Sequence, residues 1–132
     1  MAGEIVPLVM IPRFTTYAGH ASFVTTPMEF ITVPLDVAKY SRAVLTVFRG
    51  PLVGATEPTP ATFSLVFETS HDGVAWFELH TPITTASDTT NLDLVLDRRW
   101  FRVRVGITVS SAPASKGAIT CWAAGSLVSR VA

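Results

Sequence analysis

Residues 100–109, WFRVRVGITV, alternate without a break. Phe101, Val103, Val105, Ile107 and Val109 fall on one side; Trp100, Arg102, Arg104, Gly106 and Thr108 fall on the other. Side chains of an extended chain point to opposite faces in turn, so this pattern buries one face of a strand. On a helix the same residues would be scattered around the axis. A strand cannot satisfy its own backbone, and a sheet with one apolar face needs a second layer against it. This run alone therefore points to packed sheets.

The rest of the chain repeats the pattern. Residues 92–97, LDLVLD, place Leu92, Leu94 and Leu96 opposite Asp93 and Asp97; the short link Asp97-Arg98-Arg99 predicts a hairpin between this run and 100–109. Residues 61–70 place Phe63, Leu65 and Phe67 inward. In 74–80, Phe77 and Leu79 are expected inward, with Trp76, Glu78 and His80 outward. Residues 42–50, RAVLTVFRG, are apolar on both faces, as suits a central strand, and EFITVPL at 29–35 is a shorter strand ended by Pro34. GAITCWAAG (117–125) and SLVSRVA (126–132) read as two final strands. The segments 50–61, 81–91 and 110–117 are rich in Pro, Gly, Ser and Thr and read as loops. No stretch holds a 3.6-residue period. The expectation is an all-β fold of about eight antiparallel strands, a β-sandwich or barrel. Residues 1–14 are expected to form an extended N-terminal arm and 15–132 a single domain, in keeping with a length of 132 residues.

Few residues suggest chemistry. His71-Asp72-Gly73 offers a base or a metal ligand, but Asp-Gly between two apolar runs is foremost a turn signal. Cys121 is the single cysteine, so a disulfide within the chain or a multi-cysteine zinc site is excluded; a pairing with His20, His71 or His80 lacks an orienting group, and Cys121 alternates with Ile119 and Ala123 as a core residue does. Asp88, Asp93 and Asp97 do not follow a calcium-loop spacing. No phosphate loop, nucleophile elbow or zinc-protease motif is present. The reading is a non-enzyme with no catalytic, cofactor-binding or metal-binding residues.

Composition turns attention to surfaces. Charged residues make up 15% and apolar residues 48% of the chain, and the mean hydropathy is +0.42. Charged residues normally account for about 25% of a globular chain. A small domain this apolar is expected to cover part of its surface with other chains, its own copies included. Ten basic and ten acidic residues balance, so no nucleic-acid partner is expected. The N-terminal run lacks a basic leader, carries Glu4 and is broken by Pro7 and Pro12, so it reads as neither a signal peptide nor a membrane span. Its apolar residues Ile5, Val6, Leu8, Val9 and Ile11 are the expected partner-binding set, as a strand that can add to a neighbour's sheet edge. Trp76 and Trp100 join them, since tryptophan is enriched at interfaces. The same rings can stack on sugars, which makes a carbohydrate-binding module the alternative class.

Two segments carry a resemblance. In 31–48, Leu35, Asp36, Val37 and Tyr40 form a Leu-Asp-Val-x-x-Tyr corner; in 63–79, Glu68, Ser70, Asp72, Gly73 and Trp76 form Glu-x-Ser-x-Asp-Gly-x-x-Trp. Together with RWFRVRV at 99–105, about half the chain resembles small β-sandwich structural proteins of tailed bacteriophages. The resemblance implies a jelly-roll-like virion protein that decorates and stabilises a capsid. It would be made in the host cytoplasm and carried in the virion. Its expected partners are the major capsid protein or other virion proteins, and it would assemble as a homo-oligomer, a trimer by analogy. A tail or baseplate location is the neighbouring alternative. The resemblance carries no catalytic residues.

Overall fold

The chain passes between two sheets at one corner twice, near residues 36–40 and again near 95–100, and these crossings shape the architecture. The computed structural model describes residues 4–20, 28–50, 62–84, 87–108 and 116–130. It contains β1 (Ile5–His20), β2 (Met28–Ile31), β3 (Leu35–Asp36), β4 (Tyr40–Arg49), β5 (Thr62–Ser70), β6 (Phe77–Glu78), β7 (Ser87–Val95), β8 (Trp100–Thr108) and β9 (Lys116–Ser129). The first sheet has the order β1-β9-β4-β7; the second has β2-β8-β5-β6, with β3 also paired to β8. All pairings are antiparallel.

The pairings β1·β9, β2 and β3 with β8, β4·β7 and β5·β6 are nested like one long hairpin. The pairs β4·β9 and β5·β8 then roll that hairpin into two layers. The alternation implies the packed sheets, and the strand order makes them a β-sandwich of jelly-roll type. The core lies between the layers. Leu45, Val47, Ile119, Cys121 and Ala123 enter from the first sheet, and Leu65, Phe67, Phe101, Val103 and Val105 from the second. The Phe67 and Phe101 rings stack with centroids 6.2 Å apart. The side chains of Phe63, Ile107 and His20, and the whole of Val109, lie outside the described residues.

Four expectations are corrected. Runs 92–97 and 100–109 are not hairpin neighbours: β7 pairs with β4 and β8 with β5, and Asp97-Arg98-Arg99 carries the chain between the sheets. A short link can turn within a sheet or cross a corner, and here buried Leu96, whose N–H donates to Ser41 O, anchors the crossing. The Ser/Thr-rich segment before Leu92 is not all loop, because β7 begins at Ser87 and its β-branched threonines pair with β4. Residues 117–129 form one strand, with Gly125 inside it. A Cβ there would sit 1.9 Å from the Val44 carbonyl oxygen, so Gly125 marks a close approach of β9 to β4 and not a break.

The fourth concerns the arm. From Ile5 the chain is already β1, registered on β9 from Ile5↔Val128 to His20↔Lys116. Leu8 and Met10 take the inward parity of the strand, and a register shift between Val9 and Ile11 turns Ile11 inward as well, so all three are buried. β1 is thus a sheet edge, and it continues through residue 14 into 15–20. It bulges at Pro12–Phe14, where the register slips between Ile11 and Thr15 and Phe14 takes a φ of 63°.

Candidate interaction surfaces

The second sheet's outer face is built by β5 and β8. Their register sets Glu68 opposite Arg102, Val66 opposite Arg104 and Ser70 opposite Trp100. Glu68 is 5% exposed, a burial that an isolated carboxylate would not tolerate. Its Oε1 accepts from Arg102 Nε at 3.0 Å and Arg104 Nε at 3.4 Å, and Arg104 Nη1 also reaches Glu29 Oε1 at 3.0 Å. The Trp76 ring lies over the Arg102 guanidinium, 3.9 Å from its centroid, and shields the pair from water.

The turn before Trp76 places that ring. Ser70 is fully buried at the end of β5; its Oγ accepts from Gly73 N–H at 2.8 Å and Asp72 N–H at 3.3 Å. Asp72 Oδ1 accepts from Val74 N–H at 2.8 Å, Ala75 N–H at 3.0 Å and Ser70 Oγ at 3.0 Å. The donors to its carboxylate, Val74 N–H foremost, hold Asp72 below the usual carboxylate range. Gly73 adopts a φ of 80°, which L side chains rarely accept. Glu68, Ser70, Asp72, Gly73 and Trp76 thus form one structural unit: a hairpin whose loop folds a tryptophan back over an ion pair. His71 is exposed above it, and His80 Nδ1 lies 2.7 Å from Thr81 O. Phe77, expected inward, is 47% exposed and carries the Arg98 guanidinium over its ring at 4.5 Å, since β6 is a two-residue edge that the core does not cover.

The first sheet's outer face is different. Cross-strand rows run Ile5–Val128–Arg42–Val95, Pro7–Ser126–Val44–Asp93 and Val9–Ala124–Thr46–Asn91. Polar partners gather toward β7, where Arg42 pairs with Asp93 and Thr46 Oγ1 bonds Asn91 Oδ1 at 3.0 Å. Toward β1 the face is apolar: Ile5 is 66% and Val9 61% exposed, and Val44 on β4 is also exposed, while Val95 is an exposed apolar residue on β7 itself. Phe48 and Trp122 stack at 6.1 Å on the same face, with Arg13 over the indole.

Of the expected partner-binding residues, the structure brings Ile5 and Val9 to this open face, leaves Val6 half-buried, and puts Leu8 and Ile11 in the core. Trp76 and Trp100 lie across the molecule on the other outer face, both half-buried, with Trp100 beside the Arg99 guanidinium at 5.2 Å. Val44 and Val95 were not singled out, although the two-sided apolar pattern of 42–50 carried the signal for Val44. No family model, curated protein or solved structure matches the chain.

Titratable groups offer little chemistry. Cys121 is fully buried, and burial pushes its thiol up to about 11 despite the pull of nearby Arg49. Such a thiol is inert at neutral pH. Asp93 and Asp97 are exposed and paired with Arg42 and Arg98, and the side chain of Asp88 lies outside the described residues. Among the described residues no three His, Cys, Asp or Glu side chains come together as a metal site.

Proposed function

We propose that this protein is a non-enzymatic structural component of a tailed-phage virion, a capsid decoration protein that binds the shell and sister copies through the first sheet's outer face. The observation that carries the reading is the set of apolar side chains on that face, Ile5 and Val9 on β1, Val44 on β4 and Val95 on β7, turned to solvent on a chain with few charges. Water-exposed apolar side chains grouped on one flat sheet mark a surface that gains by being covered. The jelly-roll order and the two resemblance motifs, each of which serves as a structural corner or hairpin, support it. Stable specific contacts bury about 1,200–2,000 Å² in total. Repetition on a symmetric shell multiplies weak contacts into firm attachment. Trp76 favours this reading over a sugar platform, because Arg102 already lies against its ring.

Imaging purified particles at a resolution that traces this chain tests the proposal. The expected result is density on the outer surface of the head at symmetry-related positions, with β1 and β9 toward the shell. Location on the tail or baseplate would move the protein within the particle. A particle without the chain would overturn the reading.

A further inference from the structure

The sandwich ends in four edges: β1 and β7 in the first sheet, and β2 with β3 on one side and β6 on the other in the second. An edge presents a row of unpaired backbone groups to any chain that can lie beside it, and proteins blunt their edges by brevity, proline, lysine or a bulge. Three of these edges are blunted. β1 carries Pro7 and Pro12 and bulges between Ile11 and Thr15; β2 has four residues, and β3 and β6 have two each. β7 is different. It has nine residues, Ser87–Val95, with no proline, lysine or arginine, and its register on β4 is unbroken from Arg42↔Val95 to Val47↔Thr90.

One bond decides which groups this strand leaves open. Leu96 N–H donates to Ser41 O at 2.8 Å, so Ser41 and Leu96 are a hydrogen-bonded pair at the end of the ladder. Bonded and non-bonded pairs alternate along an antiparallel ladder. Leu94 and Leu92 therefore bond β4, while Val95, Asp93 and Asn91 turn their N–H and C=O groups away from it, toward the edge. Among the described residues no strand or loop pairs with those groups. The side chains of the same three residues are exposed on the sheet's outer face.

We infer that β7 pairs antiparallel with β7 of a second copy about a twofold axis at Leu92, so that Asn91 of each copy lies opposite Asp93 of the other and two four-stranded sheets become one. The side chains suit this register. Asn91 Oδ1 accepts from Thr46 Oγ1 at 3.0 Å, which leaves its amide N–H groups to donate; the Asp93 carboxylate is held by Arg42 and has lone pairs to spare. Val95 falls opposite Thr89, a β-branched pair. A twofold centred on Asp93 sets two carboxylates face to face, which destabilises a ladder. One centred on Asn91 runs Val95 against Ser87, past the register shift between Val47 and Arg49. A foreign strand meets the same backbone row, but a second copy of β7 brings the matching acid and amide with it. The contact is small beside the 1,200–2,000 Å² of stable complexes, so it is weak in dilute solution and gains where copies are held side by side. It rests on an observation separate from the apolar outer face and adds a second contact between copies.

The test is sedimentation of the full chain at concentrations up to about 1 mM, with backbone amide exchange followed by NMR over the same range. The expected result is a reversible dimer. The N–H groups of Asn91, Asp93 and Val95 should exchange more slowly as concentration rises, while those of Leu92 and Leu94, bonded to β4, are protected throughout. Asn91→Asp sets carboxylate against carboxylate at two symmetry-related places and should weaken the dimer by roughly three- to thirtyfold. Asn91→Pro removes an N–H that β4 does not use, and should abolish the dimer while the circular dichroism stays as it is. A chain that is monomeric at about 1 mM, a dimer in which the three amides exchange as fast as in dilute solution, or an Asn91→Asp variant that dimerises as firmly as the wild type would each overturn the assignment. Slow exchange of the three amides already in the dilute monomer would overturn it too, by showing that the chain covers this edge itself. A dimer broken by Ile5→Thr with Val9→Thr but not by Asn91→Asp would put the contact on the outer face instead.

Discussion

On the outer face of the second sheet, Glu68 holds Arg102 and Arg104, and Trp76 closes over Arg102; on the outer face of the first sheet, Ile5 stands beside Val128 and Val9 beside Ala124, with their methyl groups in water. The two faces belong to the same sandwich and cover the same core. The second face has supplied its own lid from a six-residue loop, 71–76, and its Glu68, Arg102 and Arg104 are answered within the chain. Among the described residues no such lid covers the first face along β1, and its apolar groups stand exposed. A substitution on the closed face should therefore be felt in stability, and one on the open face in association.

Glu68→Ala should cost the most. It leaves two half-buried guanidinium groups without their shared carboxylate, and breaking a buried pair in this way typically costs about 3–5 kcal/mol. Because Arg102 and Arg104 keep some contact with water, about 2–4 kcal/mol is the expected loss. Urea denaturation measures it, and a loss below about 1 kcal/mol would mean that the face is not closed in the sense argued here. Particle association per folded molecule should be unchanged. Trp76→Ala removes the lid but keeps the ion pair, and about 1–2 kcal/mol should be lost through the guanidinium contact and the uncovered surface. If stability is unaffected while binding to a glycan disappears, the ring is a sugar platform and the contrast between the faces fails.

Asp72 sharpens the contrast through pH. Its carboxylate is stabilised in the folded loop by Val74 N–H, Ala75 N–H and Ser70 Oγ, so its folded pKa is depressed. A depressed carboxylate contributes stability that is present above its unfolded value, about 3.9. That contribution is lost as pH falls from there through the lower folded value. Asp72→Asn should lower the melting temperature at pH 7, and the gap between variant and wild type should narrow steadily once the pH drops below about 4. A gap that is constant across that range would show that the loop does not depend on the ionised side chain. The first sheet's open face along β1 has no carboxylate in this role, so solvent exposure of Ile5 and Val9 should not respond to the same titration.

How much of this was legible follows from what a period of two contains. Alternation told inside from outside: Phe101, Val103, Val105, Leu92, Leu94 and Leu96 are all buried as read. It does not name a strand's neighbour, so β7 and β8 looked like a hairpin when they belong to different sheets. Gly125 looked like a break because composition cannot distinguish a turn glycine from one that lets two backbones touch. Parity put Glu68 and Trp76 outward, but the ion pair under the ring depends on the β5–β8 register, which is a property of the fold. The apolar N-terminal run is divided between surface and core. Ile5 and Val9 face out, while Leu8 and Ile11, at the inward positions of the same strand, complete the core. Ala38, Leu96 and Arg130 are far apart in sequence and meet only because two crossings share a corner.

The smallest effect on stability tests the open face most directly. Ile5→Thr, Val9→Thr and Val95→Thr keep the β-branched shape that suits a strand and remove only apolar character. Each side chain is well over half exposed, so none fills the core, and each change should alter folding stability by no more than about 0.5 kcal/mol. Together they should weaken attachment to the particle, or self-association seen by sedimentation, by roughly tenfold or more, since a few central apolar contacts carry most of an interface's energy. The edge of β1 is a poor alternative route to association. Pro7 and Pro12 lack N–H groups, and the bulge at Pro12–Phe14 bends the strand, both of which hinder a neighbour from extending the sheet. Loss of association with stability intact would therefore locate the contact on the face of the first sheet. If the triple variant attaches as firmly as the wild type, the apolar residues are a tolerated surface, and the partner must be sought at the edge of β7.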